Sequence, residues 1–217
     1  NFINEEWNAL NILLQNASSV GHLDLKIIST EHDNNFSFFD KLTSNKFKLL
    51  YLLGSDNLEF KKNNEFIIYQ GSHGDRGAEL ADVVLPSPAY TEQNGLYSNL
   101  EGRVQECKKA SYPIGESLED WKIFNLILKK LGKTENINNF ETLRKEVINS
   151  IVNFSQINEL PKKMINKNEK TKSNFSSEEI VIKKLDYYYT NSISRASKTM
   201  SECRQINKQT LKTGTNN

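Results

Sequence analysis

The apolar residues at the start of the chain recur at the spacing of an α-helix. Residues 5–20 place large apolar side chains three or four positions apart, on one face. These side chains are Trp7, Leu10, Leu14 and Ala17. Asn4 is a suitable N-cap for this helix, and Gly21 can end it in the left-handed conformation. We expect the apolar face to pack in a core, because the polar face is not basic enough for a membrane surface.

Three short apolar runs then predict buried β-strands. They cover residues 47–53, 66–69 and 83–85. A Gly-Ser-Asp turn starting at Gly54 follows the first run, and Pro86 follows the third. Short apolar runs bounded by glycine and proline favour strands buried on both faces over pieces of core helix. The intervals between the runs are long enough for crossover connections, so we predict a parallel α/β sheet.

Two later segments have the apolar spacing of amphipathic helices. Residues 118–131 predict the first, with a capping-box-like spacing of Ser117 and Asp120 at its start and Gly132 at its end. Its apolar face comprises Trp121, Phe124, Leu128 and Leu131. Residues 141–154 predict the second helix. Its buried stripe comprises Leu143, Val147, Ile151 and Phe154.

The composition changes after residue 154, and this change suggests the domain organisation. Residues 155–178 are rich in Lys, Asn, Ser and Glu and have too little apolar surface to offset the entropy of ordering them. Residues 180–185 alternate enough to predict an edge strand, and we expect the last dozen residues to be frayed. We therefore assign residues 1–154 to one α/β domain, and residues 155–217 to a linker and C-terminal extension.

The sequence has neither the charge of a nucleic-acid-binding protein nor the apolar length of a membrane span. Its 217 residues have a formal net charge of +1, and 25% of them are charged. The longest apolar runs are far shorter than the roughly 20 residues that cross a bilayer. We also find no signal segment of charged, apolar and small residues, so we expect no nucleic-acid partner, no direct membrane span and no secretion.

The cysteines and histidines lack the spacing of metal ligands. Cys107 and Cys203 lie far apart, and neither belongs to a C-x-x-C pair of the kind that holds zinc or an iron–sulfur cluster. A disulfide between them stays open at this stage. The three histidines, at positions 22, 32 and 73, are also isolated. We therefore expect no metal site in this chain.

Two glycine turns are candidates for ligand binding. Gly54 lies at the carboxyl end of the first predicted strand, where open α/β sheets bind ligands. Residues 71–77 form a Gly-rich loop that lacks the Gly-Lys-Ser/Thr ending of a phosphate-binding loop. His73 and Asp75 in this loop have the chemistry of an acid–base pair, but no nucleophile is placed beside them. A purely structural turn is the alternative at both positions, and we favour it.

The densest polar cluster follows the third predicted strand. It contains Glu92, Asn94, Asn99, Glu101 and Arg103. Two carboxylates are compatible with acid–base catalysis. Because Arg103 can pair with either carboxylate, we favour a structural network that fixes this loop.

This cluster lies within a segment that resembles the molybdopterin oxidoreductases, and in particular one branch of that family, the large iron–sulfur subunits of respiratory complex I. The resemblance to the family rests on Ala-Asp-Val-Val-Leu-Pro at 81–86, Glu92, and Asn99-x-Glu101-Gly102-Arg103. The resemblance to the branch rests on residues 7–8, 16–18, 69–75, 89–92, 119–123 and 188–200. It extends over nearly the whole chain and is weakest at about 133–180.

The resemblance implies a molybdopterin-oxidoreductase-like α/β fold with a parallel sheet, seen here in its C-terminal section, and an irregular C-terminal extension. Catalytic members usually have Gly-Thr before the Asn turn, where this sequence has Gly95-Leu96, and their metal ligand lies upstream of the matched region. The resemblance therefore implies no catalytic residue, no metal and no cofactor in this chain. The vestigial candidates for cofactor binding are Gly54, Asn99, Glu101, Gly102 and Arg103.

The resemblance also implies a role and partners. We expect a non-redox scaffold of the NADH-oxidising peripheral arm, in an assembly that passes electrons to ubiquinone and translocates protons. Iron–sulfur clusters and FMN are expected in partner chains: a separate chain with the N-terminal cluster-binding half of the subunit, the flavin-binding subunit and other peripheral-arm subunits. The expected location is the matrix side of the mitochondrial inner membrane, or else the cytoplasmic face of a bacterial membrane. The alternatives are part of a pterin-binding molybdopterin enzyme and an independent nucleotide-binding module.

Overall fold

The structure is a computed structural model that describes residues 18–27, 38–55, 58, 60–133, 137–160 and 186–213. In chain order its helices and strands are α1 (Ser19–Asp24), α2 (Phe38–Thr43), β1 (Leu49–Leu53), β2 (Phe66–Gly71), α3 (Arg76–Leu80), β3 (Val83–Pro86), β4 (Gly95–Ser98), β5 (Val104–Cys107), α4 (Asp120–Lys130), α5 (Phe140–Ser150), α6 (Ser192–Ala196) and α7 (Lys198–Thr213). Two short 3-10 helices lie at Val152–Ser155 and Tyr187–Tyr189. No helix within these ranges is long and apolar enough to span a bilayer.

The chain divides into two compact units, each with its own sheet. The hairpin unit comprises Asn1–Asn35 and Tyr90–Ser173, and the sheet unit comprises Phe36–Ala89 and Asn174–Asn217. The predicted domain boundary after residue 154 stays a prediction. Most of the predicted linker and the whole predicted edge strand at 180–185 lie outside the described residues.

The sheet unit contains a three-stranded parallel sheet in the order β1-β2-β3. Leu50 of β1 lies opposite Ile67 of β2, so their side chains share one face of the sheet. That face packs with α2 and α3 into a core whose buried residues are 0 to 7% exposed, namely Leu42, Leu50, Leu52, Ile67 and Tyr69. All three predicted strands and their parallel arrangement are therefore confirmed.

Burial on both faces is found in the middle of β2, where Ile67 and Gln70 are both 0% exposed and lie on opposite faces, but not in β1. Leu49 and Leu53 alternate with the buried residues of β1, and both are exposed. The described helices that join the core, α2 and α3, cover one face of the sheet only. Since side chains along a strand alternate between the two faces, every second residue of β1 stays outside the core.

Asp82 connects two strands of the sheet unit just before β3 begins. Its carboxylate accepts the Lys62 ammonium at 2.6 Å and the backbone N–H of Ile67 at 2.8 Å. The Lys62 bond and then the Ile67 bond hold the pKa of Asp82 below its ordinary value of 3.8. Because the pKa is lowered in the folded state, the stabilisation is present above pH 3.8 and is lost as the pH falls through the folded-state pKa.

We therefore expect Asp82→Asn to lower the free energy of unfolding at neutral pH more than in acid. The difference between the original chain and the variant should shrink as the pH falls below 3.8, where the carboxylate becomes protonated. Urea unfolding at a series of pH values measures this difference. A difference that stays constant from neutral pH into the acid range would contradict the assignment.

The hairpin unit is organised around the antiparallel pair β4 and β5. The Ser18 hydroxyl accepts the backbone N–H of Ser98 at 3.0 Å and so ties the start of α1 to β4. Gly21 does not end a helix as predicted, because it lies inside α1 and is buried. A Cβ at Gly21 would lie 3.5 Å from the Ser98 Cβ and 3.7 Å from the Phe154 ring, so the glycine permits close packing. Residues 5–17 of the predicted first helix lie outside the described residues.

Both later helices are confirmed, with shifted ends. Helix α4 has Glu119 at its N-cap, whereas the Ser117 hydroxyl donates to the Ile114 carbonyl at 2.9 Å and does not cap the helix. Helix α5 begins after Asn139, whose carboxamide oxygen accepts the backbone N–H of Thr142 at 2.8 Å. The predicted helix at 141–154 is divided, because α5 ends at Ser150 and a 3-10 helix follows.

The C-terminal extension is more regular than its composition suggests. Helix α7 continues to Thr213, so the expectation of a frayed end is wrong for most of the last dozen residues. Asn191 and Ser194 form a reciprocal capping box at the start of α6. The Arg195 guanidinium of α6 pairs with the Asp75 carboxylate at 2.9 Å, which binds the extension to the loop before α3.

Candidate functional site

The turn from Asn99 to Arg103 closes the β4–β5 hairpin and holds four of the five vestigial candidates. The Asn99 carboxamide oxygen accepts the backbone N–H of Glu101 at 3.0 Å and of Arg103 at 2.9 Å. The Asn99 carbonyl accepts the N–H of Gly102 at 3.0 Å. Gly102 has a φ of +80°, a conformation that glycine adopts without strain. The residues of the family motif thus form the internal hydrogen bonds of a tight turn.

An anionic cofactor would need backbone N–H groups that are free to donate. In this turn the N–H groups of Glu101, Gly102 and Arg103 all donate to Asn99, and the N–H of Asn99 donates to the Arg103 carbonyl at 2.9 Å. As folded here, these four N–H groups bond within the turn and are not available to a ligand. Its polar groups stabilise the hairpin instead.

The other side chains of the cluster are placed in different surroundings. Glu101 is exposed, and the Asn94 carboxamide oxygen accepts the backbone N–H of Lys109 at 3.0 Å. Arg103 is half-buried, and its Nε atom is shielded from solvent without a hydrogen-bond partner among the described residues. Arg103 is therefore the member of the cluster with donor capacity left for a group outside the described residues.

Gly54, the fifth vestigial candidate, belongs to the sheet unit and to a different turn. It has a φ of +63°, and its N–H donates to the Gln70 carbonyl at 2.8 Å. This bond prolongs the pairing of β1 with β2 by one step. The N–H of Gly54 is thus used within the sheet and is not available to a ligand.

The Gly-rich loop at 71–77 does not contain the acid–base pair that its residue types suggest. The Nδ1 atom of His73 lies 2.9 Å from the Ser72 hydroxyl. The Asp75 carboxylate accepts the N–H of Arg76 at the start of α3 and pairs with Arg195. Each side chain therefore has a structural partner of its own, in agreement with the structural interpretation of this loop.

Glycine is required at one end of this loop and not in its middle. A Cβ at Gly77 would approach the Ser55 carbonyl to 2.7 Å and the buried Tyr69 ring to 2.9 Å, whereas a Cβ at Gly74 would meet nothing within 4 Å. We expect Gly77→Ala to destabilise the sheet unit by about 1–3 kcal/mol. Gly74→Ala is the matched control and should be neutral or slightly stabilising. Urea unfolding of the two variants measures this, and equal effects would contradict the packing argument.

The hairpin unit also contains a cleft of about 380 Å³ that the sequence patterns do not single out. Side chains from α1, β4, α4 and α5 line it, among them Tyr97, Trp121 and Arg144. Burial raises the pKa of the Tyr97 phenol above its ordinary value of 10, and the charges of Cys107 and Asp120 add to the effect. No spacing rule connects these residues, because they come from elements far apart in the chain.

Metal-ligand geometry is not found in the part of the chain that the structure describes. No three His, Cys, Asp or Glu side chains in that part come together as ligands for an ion. Cys107 is half-buried and Cys203 is exposed, and both thiols are free. The disulfide left open by the sequence is therefore not formed in this structure.

Comparison with protein families gives two matches that follow each other along the chain. The profile of the molybdopterin oxidoreductase family matches residues 1–130. A second profile, which describes the C-terminal region of an NADH-ubiquinone oxidoreductase subunit, matches residues 151–203. The second match includes the 3-10 helix at Tyr187–Tyr189 and helix α6.

Individual relatives are similar to this chain over nearly all of its length. The NADH-ubiquinone oxidoreductase 75 kDa subunit of Reclinomonas americana is 39% identical over 93% of this chain. An NADH-quinone oxidoreductase subunit of Rickettsia conorii is 37% identical over 94%, and the mitochondrial NADH-ubiquinone oxidoreductase 78 kDa subunit of Candida albicans is 36% identical over 94%. The chain spans 28 to 29% of the length of these curated relatives.

Proposed function

Because this chain belongs to the molybdopterin oxidoreductase family, in the branch of the complex I large iron–sulfur subunits, we propose that it is a non-redox structural section of such a subunit. Its role is to shape the peripheral arm of an assembly that oxidises NADH, reduces ubiquinone and translocates protons. The observation that supports this role best is the Asn99 turn. In this turn the backbone N–H groups of Glu101, Gly102 and Arg103 all bond to Asn99 and hold the hairpin together.

We assign the electron carriers of the assembly to partner polypeptides. Side chains of the ordinary kind found here do not carry electrons stably, so iron–sulfur clusters and flavin are needed. Two isolated cysteines support placing the clusters elsewhere, in an N-terminal cluster-binding half that is a separate chain. FMN is assigned to the flavin-binding subunit, another partner in the peripheral arm.

The proposed location follows the relatives. The relative from Candida albicans carries the word mitochondrial in its name, and the relatives from Rickettsia are bacterial. We place this chain on the matrix side of the mitochondrial inner membrane, with the cytoplasmic face of a bacterial membrane as the second choice.

The test is to tag this chain in its own cells and to identify the polypeptides that copurify with it. We expect the flavin-binding subunit, a separate cluster-binding polypeptide and other peripheral-arm subunits, together with NADH–ferricyanide activity. Molybdenum or a pterin bound to this chain would instead support the molybdopterin-enzyme alternative. A stable monomer that binds nucleotide and copurifies with none of these subunits would favour an independent module and refute the proposal.

Arg103 provides a prediction for the assembly itself. Its shielded Nε lacks a partner among the described residues, so we expect an acceptor from a neighbouring chain. Arg103→Ala should reduce the amount of assembled arm by about tenfold or more, while NADH–ferricyanide activity per assembled arm stays unchanged. Native electrophoresis and activity staining measure both quantities. Normal assembly without activity would show that Arg103 serves the chemistry and not the scaffold.

A further inference from the structure

A cleft of about 1120 Å³ lies in the sheet unit, where α3 and the segment before β2 meet the C-terminal extension. Five cationic side chains and three carboxylates are found among the described residues that line it. The cationic side chains are Lys61, Lys62, Arg76, Arg195 and Arg204. We call the cleft that these five residues define the basic cleft. Its cations come from segments far apart in the sequence, so only the fold brings them together.

The three carboxylates of the basic cleft are already paired with its arginines. The pairs are Asp75 with Arg195 at 2.9 Å, Glu79 with Arg76 at 3.3 Å and Asp186 with Arg204 at 2.5 Å. Lys62 pairs at 2.6 Å with Asp82, which is not among the described lining residues. Lys61 is exposed, and no carboxylate of the described residues pairs with it. Lys61 therefore contributes a positive charge that the described part of the chain does not neutralise.

Two contacts fix the position of the Arg204 guanidinium. Its Nε donates to the Asp186 carboxylate at 2.5 Å, and its central carbon lies 4.4 Å from the centre of the Tyr189 ring. A guanidinium has five N–H donors, and only the Nε of Arg204 has an acceptor among the described residues. The four N–H donors on the two Nη atoms therefore form a preorganised planar fork. A carboxylate binds such a fork with two parallel hydrogen bonds.

We propose that the basic cleft binds an acidic segment of a partner polypeptide in the assembly, with one carboxylate of that segment on the Nη atoms of Arg204. Positive charge in a cleft attracts and orients an anionic partner, and Lys61 offers a contact for a second carboxylate. A peptide carboxylate fits better than a phosphate group. Asp186 bonds to the same guanidinium and would repel the larger negative charge of a phosphate more strongly. The inference rests on the proposed function, because the assembly supplies the partner.

The test is carbodiimide crosslinking of the assembly purified through this chain, because a carbodiimide joins a carboxylate to an amine that it contacts. We expect mass spectrometry to find Lys61 joined to an Asp or Glu of another subunit, in a peptide with further acidic residues. Lys46 is an exposed lysine of the sheet unit outside the described lining, and it should not yield that peptide. Lys61→Arg keeps the charge without the amine, so it should lose the crosslink and still recover the partner.

Two results would overturn the proposal. One is a crosslink from Lys61 to this chain itself or to a peptide without further acidic residues. The other is the absence of any crosslink at Lys61, which is the result expected if a phosphate-bearing ligand occupied the cleft.

Charge variants give an independent readout. Lys61→Glu should lower the amount of the crosslinked partner recovered with this chain by about threefold or more, because it places a carboxylate against an acidic segment. Lys46→Glu is the matched control and should change recovery by less than about 1.5-fold. Arg204→Lys keeps a charge for Asp186 but loses the planar fork, so we expect about a threefold loss here too. Equal recovery with Lys61→Glu and Lys46→Glu would contradict the inference.

Failure of this inference is distinguishable from failure of the proposed function. If the original chain recovers no NADH dehydrogenase subunits, the proposed function fails. If it recovers them and Lys61 is not joined to an acidic segment of any of them, only this inference fails.

Discussion

Asn99→Ala is expected to destabilise the hairpin unit by about 2–4 kcal/mol, since two backbone N–H groups lose their acceptor. The N–H of Arg103 is half-buried and carries most of the cost, whereas the N–H of Glu101 is exposed and can turn to water. Trp121 belongs to helix α4 of the hairpin unit. Tryptophan fluorescence during urea unfolding therefore reports the loss of stability in the affected unit.

Asn99→Asp is the matched control, because it keeps an oxygen acceptor at the same position. We expect it to retain most of the stability of the original chain, and hydrogen exchange in β4 and β5 should stay slow. In Asn99→Ala these strands should exchange about 30-fold faster or more, the rate ratio that corresponds to 2 kcal/mol. If the alanine and aspartate variants were equally stable, the carboxamide oxygen would not be what holds the turn.

Ile67→Ala is expected to destabilise the sheet unit by about 2–5 kcal/mol. Ile67 is 0% exposed in the central strand and packs in the core with Leu50 and Tyr69. Truncation removes three carbon atoms and leaves a cavity that a close-packed core does not fill. Hydrogen exchange of the 66–71 peptide measures the loss without interference from the hairpin unit.

Ile68→Ala provides the comparison for Ile67→Ala in the same strand. Ile68 is half-buried on the face of the sheet opposite the core, so its truncation should cost the chain clearly less than the loss of Ile67. An Ile68 variant as unstable as the Ile67 variant in the chain alone would mean that both faces are already covered.

The scaffold interpretation gives the two units different tasks. The hairpin unit contains the family's turn motif, whose backbone N–H groups bond within the turn. It also contains the Nε of Arg103, which has no hydrogen-bond partner in the described part of the chain. The sheet unit has a buried core on one side of its sheet and exposed apolar residues, among them Leu49 and Phe66, on the other. Both units therefore present groups that a larger assembly would satisfy, which is what a structural section of a subunit requires.

Much of the local structure followed from sequence patterns. Apolar runs bounded by Gly54 and Pro86 placed the strands, and periodic apolar residues placed α4 and α5. The helix starts were less certain, because capping depends on where a single side chain points. Ser117 had the spacing of a cap, yet its hydroxyl bonds to Ile114 and Glu119 takes the capping position.

The candidate site was predicted only in part. Asn and Gly around position 99 indicated a turn, and the structure shows that the turn uses its own amides. The contact of Arg195 with Asp75 had no signal in the sequence, since 120 positions separate the two residues. The same holds for the cleft around Tyr97, whose lining comes from elements that are far apart in the chain.

Residue order was enough to specify the strands, most of the helices, the tight turn and the family of this chain. Each of these depends on the backbone preferences and spacing of residues that are close together along the chain. Which face of the sheet is buried, which charges pair and where the cleft lies were decided by three-dimensional packing. Those features depend on groups that are distant in the chain and meet only when the helices and strands assemble.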